Sequence, residues 1–115
     1  MQYFLIFITF IFMHSLVWVS SNWQFTEGAN YTNSLILTIV AAIPISLLSF
    51  YGTRIGYDTL GSAWAIRLLA FGISYITFPV MTWMLLGESP FNAKTVICIS
   101  LSFLIIAVQL FLPNN

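Results

Sequence analysis

The chain has 115 residues, 60% hydrophobic and 17% aromatic, with three basic and three acidic side chains that cancel to zero net charge. Only 5% of its residues are charged, where a soluble domain has about 25%, so water is not its main solvent. This composition, with Cys98 as the single cysteine, excludes a soluble enzyme domain, a nucleic-acid binder with a basic face and a disulfide-stapled secreted scaffold.

The charges Glu27, Arg54, Asp58, Arg67, Glu88 and Lys94 leave uncharged stretches at 1–26, 28–53, 68–87 and 95–115. About 18 apolar residues suffice to cross a hydrocarbon core as a helix, whereas a barrel strand would alternate at period two, which these runs do not. The first predicted helix covers 3–23. It lacks a basic residue near Met1 and a small-x-small cleavage pattern, and so reads as a retained helix and not a signal peptide. Residues 24–33 (QFTEGANYTN) form a loop without apolar periodicity. Within it, Asn30-Tyr31-Thr32 matches a glycosylation sequon, a three-residue pattern that is common by chance.

The second predicted helix covers 34–51 and contains Pro44, which removes one backbone donor and predicts a kink. The segment with Gly52, Arg54, Gly56, Tyr57, Asp58 and Gly61 reads as a polar loop in the headgroups. The third helix covers 62–86, with Pro79 a second kink position. Gly87-Glu88-Ser89-Pro90 is a helix stop, and Asn92 caps a fourth helix over 92–112, ahead of Pro113. The expected fold is an all-α integral membrane protein, with residues 1–115 forming a single domain, a bundle of four transmembrane helices.

Tyr3, Trp23, Tyr31, Tyr51, Tyr57, Trp64 and Trp83 fall near the predicted helix ends, where amphipathic rings favour the membrane interface. Four crossings put both termini on one side, together with Arg54 and Arg67, and leave Lys94 on the other. The positive-inside rule then places both termini in the cytoplasm of a bacterial-type inner or plasma membrane. The margin is one charge, and insertion in both orientations stays open.

His14 is the one ionisable side chain inside the first helix, and a polar ionisable group at membrane depth is by default a functional-site hypothesis. Its alternatives are a substrate or proton role, a hydrogen bond to a neighbouring helix, or stacking on Trp18 one turn on. No Cys, Asp, Glu or second His lies at ligand spacing, so no metal is expected. Arg67, one turn into the third helix, must find carboxylate, phosphate or water, which headgroups, Asp58 or a polar cavity would supply. Arg54 and Asp58 become neighbours if the second helix continues past Tyr51. Glu88 and Lys94 belong in the headgroups. His14, Arg67, Trp18 and Ser46 are the candidates for a substrate path.

Ala42, Ser49, Gly52, Gly56 and Gly72 are the expected packing positions, with Ser46 on the same small-residue face. Small side chains let helices approach closely in lipid, where no hydrophobic force joins them. The sequence has no nucleophile-base constellation, phosphate loop or redox-ligand set, so neither an enzyme nor a cofactor is expected.

Ile11-Phe12-Met13 and Trp18, then Arg54-Ile55-Gly56-Tyr57, then Leu86-Gly87-Glu88-Ser89-Pro90 follow one another in a telling order. The set resembles the small four-helix proteins of the drug/metabolite transporter superfamily. The likeness is nearest to a domain-of-unknown-function branch and more distant to the small multidrug resistance transporters. The resemblance implies a half-size unit that works as a dimer. In the multidrug branch it implies a helix-1 glutamate that binds proton and cationic substrate in competition, a depth held here by His14. In the uncharacterised branch the third helix carries a Lys and a following acid. Arg67 stands for the first, and Ala70, Phe71 and Gly72 offer no acid.

Two functions are therefore expected. One is a half-size transporter that moves a small metabolite as a dimer. The other is a non-catalytic accessory or structural subunit packed against a larger membrane complex. The expected partners are membrane lipids and a second copy or a larger complex, with no nucleic acid.

Overall fold

In the computed structural model residues 2–113 are described, and they form four α-helices: α1 (Gln2–Asn22), α2 (Tyr31–Leu60), α3 (Ala63–Leu86) and α4 (Ala93–Phe111). A 3-10 turn at Trp23–Phe25 follows α1. All four helices are long and apolar enough to cross a membrane. At about 1.5 Å rise per residue even α4, the shortest, reaches about 28 Å.

The helix starts follow from side-chain caps. Asn30 Oδ1 accepts the Asn33 N–H at 2.8 Å, Ser62 Oγ the Ala65 N–H at 3.3 Å, and Asn92 Oδ1 the Thr95 N–H at 2.9 Å. Each satisfies a backbone donor that the first turn leaves free. α2 and α3 end at Gly61 and Gly87, whose φ values of +72° and +73° place them in the left-handed region that glycine enters without a Cβ penalty. Their N–H groups donate to the carbonyls of Tyr57 and Trp83 at 2.8 and 3.1 Å.

α2 departs from the sequence expectation at both ends. It starts at Tyr31 because Asn30, not a residue nearer Ser34, is the cap. It also continues past Tyr51 to Leu60, so the segment expected to be a polar loop is helical. The physical reason is that Gly52 and Gly56 are packing sites inside the helix and not turn residues. A Cβ at Gly52 would stand 3.1 Å from Thr9 Cγ2, and one at Gly56 would stand 2.9 Å from Ile66 Cγ1. A helical glycine costs about 1 kcal/mol against alanine, which the close approach of α1 and α3 offsets.

Ile6, Phe10 and Met13 of α1 and Ile66, Leu69 and Ile73 of α3 form the core, flanked by Ile45, Leu48 and Ile55 of α2. α4 packs on α3 and adds one buried residue, Ser102. Gly72 makes that approach possible, since a Cβ there would overlap the Ile106 side chain. Elsewhere the helices turn large apolar side chains outward, such as Ile39, Ile43 and Leu47 on α2 and Phe103 and Leu104 on α4. Such a surface suits hydrocarbon and not water.

Thr38 Oγ1 on α2 donates to the Ser20 carbonyl on α1, while Gly52 lies against Thr9 and Phe10, so α1 and α2 run antiparallel. α3 runs beside α1 in the same direction, since Trp18 meets Thr82 at one end and Phe10 clusters with Ile66 at the other. Arg54, Asp58 and Arg67 therefore gather at the end where α2 finishes and α3 begins. Glu27, Glu88 and Lys94 sit at the opposite end.

Candidate functional site

A groove, lined mainly by apolar surface with a few polar groups, follows the seam between α1 and α3. Its first part, a cleft of about 450 Å³, has His14 on α1, Ser49 and Thr53 on α2, and Arg67, Phe71 and Ser74 on α3. Its second part, of about 430 Å³, continues along the same seam with His14, Trp18 and Asn22 facing Ser74, Tyr75 and Phe78. The two share His14, Phe71 and Ser74. Steps of three and four residues bring these side chains onto one face of each helix: His14 and Trp18, Ser49 and Thr53, then Arg67, Phe71, Ser74 and Phe78.

His14 lies near the middle of α1, and its Nε2 is buried without a hydrogen-bond partner on the protein. The ring stands 6.4 Å from the Phe10 ring at an interplanar angle of 30°. An unpartnered polar atom in such a place is costly, and Ser34 Oγ on α2 is likewise buried without a partner.

Stacking with Trp18 is not the arrangement found for His14. Trp18 is 1% exposed, and its indole N–H donates to Thr82 Oγ1 at 2.8 Å. It thus borders the second cleft while tying α1 to α3. Ser74 Oγ donates to the Phe71 carbonyl at 2.5 Å, and Asn22 Nδ2 to the Trp18 carbonyl at 3.3 Å.

Arg67 is exposed and lines the first cleft together with His14, so these two sequence candidates share one cleft. Ser46 does not join them: it is exposed on α2 and borders neither part of the groove. Among the expected packing positions, Gly52, Gly56 and Gly72 are buried at helix crossings, Ser49 borders the first cleft, and Ala42 faces outward. The buried small residue of that stretch of α2 is Ala41, one position earlier.

Sequence reasoning missed Thr53, Tyr75, Phe78 and Thr82. Thr53 fell in the presumed loop, and a single threonine in an apolar helix carries no signal of its own. The one hint for Thr82 was that a buried tryptophan N–H needs a partner. Among the described residues no three His, Cys, Asp or Glu side chains come together as a metal site. The groove offers hydroxyls, an imidazole, a fixed cation and aromatic walls, a set that binds and orients.

Comparison with known proteins finds no matching family model, no matching curated protein and no matching solved structure.

Proposed function

We propose that the chain is a half-size, drug/metabolite transporter-like membrane protein that moves a small metabolite as a dimer. In this reading it crosses a bacterial-type inner or plasma membrane four times with both termini in the cytoplasm. The observation that carries it is His14, an ionisable side chain near the middle of α1 that lines both parts of the groove. The resemblance carried by Arg54-Ile55-Gly56-Tyr57 and Leu86-Gly87-Glu88-Ser89-Pro90 supports the same reading.

A second reading, an accessory subunit of a larger membrane complex, is favoured by α4. That helix has one buried residue and turns Ile97, Leu101, Phe103 and Leu104 outward, which leaves room for a neighbouring membrane protein as well as for lipid.

The test is to load proteoliposomes with a mixture of small metabolites and follow efflux by mass spectrometry. The transporter reading expects wild-type vesicles to lose one or more components, and His14→Ala to stop the loss with unchanged helicity and elution volume. Retention of every component by the wild type, with co-purification of a fixed set of membrane proteins, would sink it in favour of the subunit reading.

A further inference from the structure

We propose that the Arg67 end of the groove is an oxyanion site, which takes the carboxylate or phosphate of a small amphiphilic anion. It names the substrate class of the proposed transporter and rests on that reading for the transport step alone.

The argument begins with charge. The cleft that holds Arg67 has no acidic side chain on its lining. A third cleft, of about 560 Å³ and outside the groove, shares Ser49 and Thr53 with it and adds Arg54, Tyr57 and Asp58. Asp58 stands four residues from Arg54 on the same helix. Two guanidinium groups and one carboxylate therefore border Ser49 and Thr53, an excess of one positive charge. Glu27 and Glu88 lie in the connections at the far end and cannot neutralise it.

Arginine stays charged at every accessible pH and offers a planar fork that matches carboxylate or phosphate. The Ser49 and Thr53 hydroxyls supply further donors beside it. Phe10, Met13 and Phe71 line the same cleft and provide the apolar wall. A cationic ligand finds no counter-charge there, and a neutral one leaves the guanidinium unmatched. The volume of about 450 Å³ lies within the usual range for small-molecule pockets.

Three probes of one shape separate the alternatives: benzoate, benzamide and benzylammonium, titrated by ligand-observed NMR onto the protein in phosphatidylcholine nanodiscs. Benzoate is expected to bind saturably, with benzamide and benzylammonium at least about tenfold weaker, the scale of one charge-assisted hydrogen bond. Arg67→Gln should cost about the same factor and Arg67→Lys less, while Lys94→Gln at the far end should change nothing. If Arg67→Gln fails to fold, the Ser49→Ala, Thr53→Val pair, which keeps the charge, should still weaken benzoate. Equal binding of all three probes, or a preference for benzylammonium, overturns the proposal.

Replacing part of the phosphatidylcholine with phosphatidylglycerol distinguishes the two sources of an oxyanion. Unchanged benzoate binding supports a soluble substrate, and displacement overturns that assignment and leaves a lipid-headgroup site. Benzoate binding without benzoate flux in vesicles would remove the transporter reading and keep the site. Flux of benzylammonium without benzoate binding would do the reverse.

Discussion

Trp18 and Thr82 form a buried side-chain hydrogen bond between helices, 2.8 Å long and 64 residues apart in sequence. Such bonds contribute roughly 0.6 to 2 kcal/mol in a membrane, so Trp18→Phe and Thr82→Val should each destabilise the fold. A double-mutant cycle in SDS unfolding should return a coupling of that size, whereas strict additivity would show the bond to be energetically silent. Gly72 is the second residue on which packing turns. Gly72→Val forces a side chain into the space of Ile106 and should cost about 1–3 kcal/mol, the usual range for overpacking. Adding Ile106→Ala should return part of that loss, because it empties the volume the new side chain needs. If the double variant is no more stable than Gly72→Val alone, the contact does not govern how α4 docks.

At the level of elements, the helix ends that carry one unambiguous signal were legible in the sequence. Gly87 and Pro90 stop α3, and Asn92 starts α4 with a side-chain cap. The end of α2 was not legible, because glycine has two opposite uses. Gly52, Gly56 and Gly61 look alike in a sequence, yet only Gly61 takes a positive φ, while Gly52 and Gly56 are helical and buried. Their spacing of four marked Gly52 and Gly56 as a packing face, but Arg54, Tyr57 and Asp58 beside them made the segment read as a polar loop and not as more helix. The site divides in the same way. His14 and Arg67 stood out as ionisable groups within or beside apolar runs, whereas Ser49, Thr53 and Ser74 become site residues only when three helices meet. Cysteine scanning across 50–60 checks the continued helix. Maleimide reactivity should follow a 3.6-residue period, low at Gly52, Ile55 and Gly56 and high at Thr53, Arg54 and Tyr57. Uniformly high reactivity would restore the loop.

The whole molecule carries a charge asymmetry between its two ends, with Arg54, Asp58 and Arg67 at one and Glu27, Glu88 and Lys94 at the other. The start of α1 and the finish of α4 share the more positive end. Cysteines at Gln2 and Pro113 should therefore react with an impermeant reagent from the same side of a sealed vesicle. Reaction from opposite sides would mean that one helix does not cross. The overall dimensions, 50 × 36 × 21 Å, have a further consequence. The thin direction holds about two helices at about 10–12 Å each, and Phe71, Tyr75 and Phe78 along the groove are exposed. In the proposed transporter, a single chain would border a permeant on one flank and leave the other to its surroundings. Enclosure by a second copy would there make the active species a product of two surface densities, and transport a second-order process. Diluting the protein tenfold into lipid should then lower the rate per chain as well as the total rate. A rate per chain that is independent of dilution would identify the single slab as the complete kinetic unit.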